Sequence, residues 1–406
     1  MALVYKNLAD IVTLSRASAR TRTNSAGVLT TLASGIFGID YDPSTLTVRG
    51  MPVEEQRTNI LSRSTDTTLW TQAEISEDGS VTAPDGTTVP IWLANGVAAS
   101  HRLTRTGTGG AAGNTDHAPS IFVHVPSGSD VTRLFLRARA GSDGSSVIIL
   151  VAGSGAGATF TYVSTGPFGT NPPASFGAGD FHAEYWGGGW HRIWYKSALS
   201  SITTAASQLD IAFSPSGTEN TAGTVNTRAA FWQGQLEQGS FASSPILTTT
   251  AAATRLADSL TIGTLSPWHN AVEGTWYVKF IPMTISASTF PRQISANDGT
   301  VNNNIRIGIS GSTAFSGAVT TGGVAQAAIT AGTPTALTVA KVALSYKEND
   351  FQAAANGTLG TADVSGTVPT VTGVYLGRDP SGVYSNSWLQ QVIYYPAVKN
   401  TQTLTA

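Results

Sequence analysis

The stretch "EYWGGGWHRIWY", residues 184–195, holds three of the nine tryptophans and two of the eleven tyrosines of a 406-residue chain. Gly187 to Gly189 read as a turn, and Trp190 opens a strand. Alternation then puts Trp190, Arg192 and Trp194 on one face and His191, Ile193 and Tyr195 on the other. Trp190 is expected in a core, because one aromatic side chain buries about 150–250 Å². Tyr185 and Trp186 precede the glycines, where loop residues lie at the surface. With Asp180, His182 and Glu184 nearby to take hydroxyls, they form a candidate platform for a sugar ring.

Around this stretch short runs of period two alternate with Gly/Ser/Pro loops: "SIFVHV" (120–125), "TRLFLRARA" (132–140), "SVIILVAG" (146–153), "QLDIAFSP" (208–215) and "TRAAFWQGQLEQG" (227–239). In "RLFLRARA" Leu134, Leu136 and Ala138 oppose Arg133, Phe135, Arg137 and Arg139, which suits one face on a core. After a Thr/Ala stretch at 246–258 a second β region follows, with "GTWYVKFIP" (274–282), "IRIGIS" (305–310), "TGVYLGRD" (372–379) and "WLQQVIYYP" (388–396). Asn356-Gly357, between two extended runs, is the strongest hairpin signal. "TQTLTA" at the end reads as a short helix. Residues 1–60 carry only scattered turn signals.

The expected fold is therefore all-β: two consecutive β-sandwich (jelly-roll) domains, 61–250 and 251–406, behind an irregular N-terminal attachment segment, 1–60. Composition agrees. Only 12% of residues are charged, about half the usual share, and 43 glycines supply many turns. A net charge of −2 gives no electrostatic reason for a nucleic-acid partner. No apolar run is long enough for a membrane span or a signal-peptide core. The absence of cysteine rules out disulfides and thiolate metal sites.

Several segments resemble a family of bacteriophage structural proteins: "LSRAS" (14–18), "GIDYDPSTLTVRGMPVEEQRTNILSRSTD" (38–66), "LWTQ" (69–72), "GGGWHRIWY" (187–195) and "FWQGQLEQGSFASSPILTT" (231–249). The resemblance implies a jelly roll similar to carbohydrate-binding modules, closed by the motif containing Gln235 and Glu237, with Trp190 as a core tryptophan. "EGTWYVKF", "KVALSYKENDFQAAANGT", "VYLGRD" and "SWLQQVIYYP" look like a laminin-G or concanavalin A-like sandwich. Members of the family serve as tail fibres, minor tail proteins or head spikes. The implied function is a virion structural protein that adsorbs to host-surface polysaccharide, with a glycan-free head or tail adaptor as the rival and a capsule depolymerase as a third reading. The implied location is the particle surface. The implied partners are other virion proteins through the N-terminal segment, where Arg16, Arg20 and Arg22 are spaced to meet a neighbouring subunit. A symmetric homo-oligomer, trimer or pentamer, is expected.

No catalytic residue is singled out. Glu54 and Glu55 in "VEEQRTN" point to opposite faces of an extended chain and cannot flank one glycosidic bond. Arg57 beside them is expected to pin this segment against the jelly roll by a bidentate pair. In the second β region only Glu348 and Asp350 share an i, i+2 spacing, without a third acid. The six histidines make no metal motif. "NDG" (297–299) and "GRDPSG" (377–382) offer oxygens to Ca²⁺ but read better as turns. Glycan candidates are thus aromatics in loops: Tyr185 and Trp186 in the first sandwich, Trp268 and Tyr384 in the second. Trp276 and Trp388 begin strands and are expected in the core.

Overall fold

A computed structural model describes residues 8–107, 115–140, 143–165, 178–199, 207–285, 290–311 and 313–406. The described chain is two antiparallel β-sandwiches. In the first, one sheet runs in the order Thr159–Thr165, Asp143–Ala152, Arg133–Ala140, Ser207–Ser214, Arg102–Thr106, Thr71–Ala73. The facing sheet runs Phe181–Tyr185, Trp190–Tyr195, Thr115–His124, Arg228–Gln238, Thr88–Ala94, Ile75–Thr82. Leu134, Leu136 and Ala138 meet Ile121, Val123, Ile193 and Tyr195 between them, all essentially inaccessible. The period-two pattern thus has its usual cause: one face of each strand is dry.

The second sandwich is not built from residues 251–406 alone. Thr13–Ser15 pairs with Ser259–Ile262 at the edge of one seven-stranded sheet. That sheet continues through Gly373–Leu376, Arg292–Asn297, Asn304–Ser310 and Ala314–Thr321 to Val324–Ala331. Val48–Val53 pairs with Ser387–Tyr395, and Asp40–Tyr41 pairs with Val48–Val53, extending the facing sheet. The chain therefore starts in the second sandwich, enters the first near residue 60 and returns near 253, where Ala253–Arg255 pairs with Arg57–Asn59. The segment expected as irregular supplies strands to the second sandwich, because Thr13–Ser15 and Val48–Val53 find their sheet partners more than 200 residues further on. The hairpin at Asn356-Gly357 has both residues at positive φ, 46° and 77°, as its two-residue turn requires. Thr401–Thr405 is helical, capped by the Asn400 carboxamide, which accepts from the Thr403 N–H at 3.0 Å.

The expectation that Arg16 and Arg20 face a neighbouring subunit is corrected. Both lie inside this chain, in a cluster that welds the two sandwiches. Arg16 pairs with Asp258 at 2.9 Å, and Arg20 bridges Asp258 at 3.0 Å and Glu54 at 2.8 Å. Arg255 closes on Glu54 from the far side. Every one of these side chains is 2% exposed or less. Three guanidinium groups against two carboxylates leave one excess positive charge. Backbone carbonyls take up further donors, Ala33 and Ser18 for Arg16, Pro52 for Arg20 and Glu55 for Arg255, while the buried Arg255 Nε is left without a hydrogen bond. Glu54 also accepts from the Ser244 N–H at 2.9 Å and the Ser244 hydroxyl at 2.7 Å, which reaches into the end of the first sandwich. Burial alone would raise the Glu54 carboxyl, but Arg255, Arg20 and Ser244 hold it down at about 2. Arg22 stays half-buried and donates to the Ile39 carbonyl at 2.9 Å.

Candidate functional site

The glycine turn at 187–189 needs glycine at every position, with φ of 78°, 57° and 83°. Gly188 is exposed, but the glycines on either side of it are packed. A β-carbon on Gly187 would stand 2.9 Å from the Pro43 carbonyl oxygen, and one on Gly189 would press on His124 and Gly155. The turn is therefore seated against the N-terminal segment. Beside it Arg49, on the second sandwich's strand Val48–Val53, binds both Asp42 at 2.8 Å and Glu184 of the first sandwich. Its guanidinium lies 5.1 Å from the centre of the Trp388 ring. Burial works against the Arg49 charge, yet Glu184 and Asp42 together raise its pKa.

This placement overturns the surface expectation for Trp186. Its ring is 7% exposed and meets Phe122 edge-on at 4.9 Å. Its indole N–H donates to the Glu184 carboxylate at 2.9 Å, so Glu184 is already committed to Trp186 and Arg49. Tyr185 is half-buried in the strand Phe181–Tyr185, opposite His191, with the rings 4.9 Å apart. Tyr185 thus belongs to the strand and Trp186, just past its end, to a buried cluster, because the turn that follows them packs on the N-terminal segment. Trp190, 1% exposed, donates its indole N–H to the Thr82 carbonyl at 2.7 Å.

Trp190 is buried, but on the outer face of its sheet. Phe122, Trp186, Trp190 and Trp232 form a second cluster there, roofed by Leu29 of the N-terminal hairpin, Ala83 and Leu247. The hairpin, Arg20–Thr23 with Leu29–Leu32, is fixed by the Leu29 N–H on the Pro84 carbonyl at 2.9 Å and by the Thr23 N–H on Asp40 at 2.8 Å. The aromatic face that sequence alone offers to a sugar is thus occupied by the chain's own N-terminus. Trp194, further along the same face, is half-buried and stacks on exposed His182, with centres 4.0 Å apart.

The closing motif also faces this side. Gln235 accepts from the Ile246 N–H at 2.7 Å, and Glu237 accepts from the Ser243 N–H at 2.8 Å and hydroxyl at 2.7 Å. Arg192 donates to the Ser243 carbonyl at 2.7 Å. A row of buried polar side chains on the strand Arg228–Gln238 therefore straps segment 240–248 down without a strand ladder. Arg57 pairs with Glu55 at 2.5 Å, donates to the Gln238 carbonyl and lies 4.7 Å from the Phe241 ring centre. This differs from a bidentate carboxylate pair: one guanidinium end takes the acid and the other takes the jelly-roll backbone. Gly239 leaves the room, since any β-carbon there would strike the guanidinium.

In the second sandwich Trp268 is half-buried and packs edge-on against Trp276 and Tyr394, at 6.1 and 5.3 Å, closing one end of the core. Trp276 and Trp388 are 1% and 8% exposed. Tyr384 is half-buried, with Arg378 6.0 Å from its ring centre. The four glycan candidates are not brought together. Tyr185 ends a strand, Trp186 belongs to a covered cluster, Trp268 to a sandwich end, and Tyr384 to a loop where it packs partly against the second core.

The acids are engaged in turns and pairs. Asp298 accepts from Thr300 and Asn303, and Asp379 from Ser381 and Val383, so both proposed Ca²⁺ loops spend their carboxylates on their own backbones and hydroxyls. Glu348 and Asp350 flank an exposed hairpin turn, and Glu273 faces Lys347 at 3.5 Å. Among the described residues no group of three or more His, Asp or Glu side chains gathers as a metal site. The sequence reading passed over Arg306 and Tyr375, which share one outer face; the alternation in "IRIGIS" was the available signal.

No family model and no curated protein matches the sequence. Among solved structures, the chain is similar to domains LG4–5 of the mouse laminin alpha1 chain. The identity is 10% and the TM-score 0.22, over 79% of this chain and 91% of that one. It is also similar to the LG1–3 region of the laminin alpha2 chain, at 10% identity and a TM-score of 0.25, over 74% of this chain and 66% of that one. Likeness of this size carries no argument about a ligand. The all-β, two-sandwich architecture stands on the strand pairing described above.

Proposed function

We propose that the chain is a non-catalytic structural protein of a tailed phage or phage-like particle, displayed at the particle surface as a spike or fibre that adsorbs to host polysaccharide. The observation that carries the structural part is where the family-like residues fall. Glu54 and Arg57 of "VEEQRTN", and Gln235, Glu237, Ser243 and Ser244 of "QGQLEQGSFASS", all sit in the buried polar framework joining the two sandwiches. These motifs hold a shape; none lines a cleft. In the second sandwich Glu273, Asp298, Asp363 and Asp379 are taken up by partners, and Glu348 and Asp350 lie at an exposed hairpin turn. That supports the non-catalytic reading, because retaining hydrolysis needs two carboxylates about 5–5.5 Å apart across a cleft.

The rival, a glycan-free adaptor, gains from one specific observation: the tryptophan face of the first sandwich is roofed by Leu29 and Leu247. On the proposed reading adsorption falls to other surfaces. Immunogold labelling of particles, together with a glycan array probed with the purified chain, tests both parts. Labelled particle surface with glycan binding supports the proposal. Labelled surface without glycan binding leaves the adaptor, and absence from the particle removes both.

A further inference from the structure

The outer face of the seven-stranded sheet that ends at Val324–Ala331 differs from the other outer surfaces. Cross-strand register aligns Tyr375, Ser295, Arg306, Ala318 and Ala328 in one row. Their chain neighbours Leu376, Ile294 and Ile307 fill the core beneath. The next row holds Arg292, Gly308, Ser316 and Thr330. Small side chains thus pave a shallow floor, and long basic and aromatic ones rise from it. Arg292 lies along Gly308, where a β-carbon would meet its guanidinium at 3.1 Å. Arg378 sits 4.5 Å from the Tyr375 ring centre and 6.0 Å from that of Tyr384.

Charge on this face is unbalanced. Among the described residues Asp379 is the acid that acts on Arg292 and Arg306. It stands 3.7 Å from the Arg292 Nε, and its other oxygen is held by Ser381 and Val383. Arg306 and Arg378 make no ion pair within the described residues. The Nε atoms of Arg292 and Arg378 are buried and donate to nothing. Gln293, fully buried at the bulge beside Arg292, has neither its amide oxygen nor its nitrogen paired. Burial, and then the neighbouring Arg306, hold Arg292 down at about 10. An added anion would relieve that repulsion.

We propose that this face binds an acidic polysaccharide, with carboxylate or sulfate groups on Arg292, Arg306 and Arg378 and sugar rings against Tyr375 and Tyr384. The proposal deepens the adsorption reading and rests on it. Fork-shaped guanidinium groups suit planar oxyanions, and half-exposed rings between them suit the apolar faces of pyranoses. A flexible acidic peptide would use the arginines but would leave the tyrosines without a role.

The test is titration of the full chain with polygalacturonate (carboxylate), heparin (sulfate and carboxylate), dextran (neutral), sodium sulfate, poly-glutamate and single-stranded DNA. An acidic polysaccharide should bind, weaken with added salt, and lose at least tenfold in affinity in the double variant Arg306→Gln/Arg378→Gln. Tyr375→Leu should lose severalfold for polysaccharide only. Arg378→Lys, which keeps the charge and removes the fork, checks any variant whose melting midpoint falls and should still lose affinity. Undiminished polysaccharide binding by the double variant overturns this site and leaves the adsorption reading standing. No binding of any polysaccharide by the wild type overturns both. Equal or tighter binding of sulfate, poly-glutamate or DNA overturns the assigned ligand.

Discussion

The two sandwiches present outer sheet faces of opposite character. In the first, Phe122, Trp186, Trp190 and Trp232 stand on a sheet face covered by the N-terminal hairpin and segment 240–248. In the second, Tyr375, Arg306 and Arg292, each partly exposed, stand on a largely buried floor of serine, alanine and glycine. Richness in tryptophan marks the face already filled; the more modest arginine–tyrosine face is the one left open. Large apolar rings left in water cost more than they return, so the chain covers them.

The largest effect should follow removal of residues 1–35. The cut strips Leu29 from the tryptophan cluster, Thr13–Ser15 from the second sandwich, and Arg16 and Arg20 from Asp258 and Glu54. It should lower the melting midpoint more than any single substitution and expose dye-binding apolar surface. A truncated chain with an unchanged midpoint would show that the cover is dispensable. Glu54→Gln comes next, at about 3–5 kcal/mol, because it leaves Arg20 and Arg255 buried with their partner neutralised. Denaturant unfolding would measure it.

Acid should act through the same residue. The Glu54 carboxyl is lowered from 4.5 to about 2, so its contribution is complete above 4.5 and is lost as the pH falls towards 2. His124 and His191, lowered by burial, likewise favour the fold above 6.5 and less below it. Asp40, raised by burial, works in the opposite sense. Glu54→Gln should therefore flatten the stability–pH profile between about pH 5 and pH 2.5 relative to wild type. Parallel profiles would assign the acid sensitivity to other groups.

Matched substitutions then sharpen the contrast between the faces. Trp186→Ala should cost about 3–5 kcal/mol, as a core tryptophan does. Tyr375→Ala on the arginine-bearing outer row should stay within about 1 kcal/mol. Similar losses at both positions would erase the distinction.

The fold class was legible from period-two runs such as "RLFLRARA", whose apolar set does face the core. Two things were not. The contributions of 13–15 and 40–53 to the second sandwich depend on partners 200 or more residues away, and short strands of two to six residues carry no periodicity of their own. Nor could the surroundings of Trp186 be read. The glycines correctly signalled a turn, but whether a turn meets water or Pro43 is a tertiary fact. The same limit hid the ion cluster, since nothing local in "RASAR" points to Asp258.

Hydroxyl-radical footprinting of the intact chain, read residue by residue by mass spectrometry, tests most directly whether the tryptophan face is closed while the arginine–tyrosine face is open. Trp186, Trp190 and Trp232 should be protected, whereas Trp194, Tyr375 and Tyr384 are modified, and Trp186 should become reactive in the chain lacking residues 1–35. Oxidation of Trp186 in the intact chain as fast as Trp194 would contradict the account and return that tryptophan to the surface.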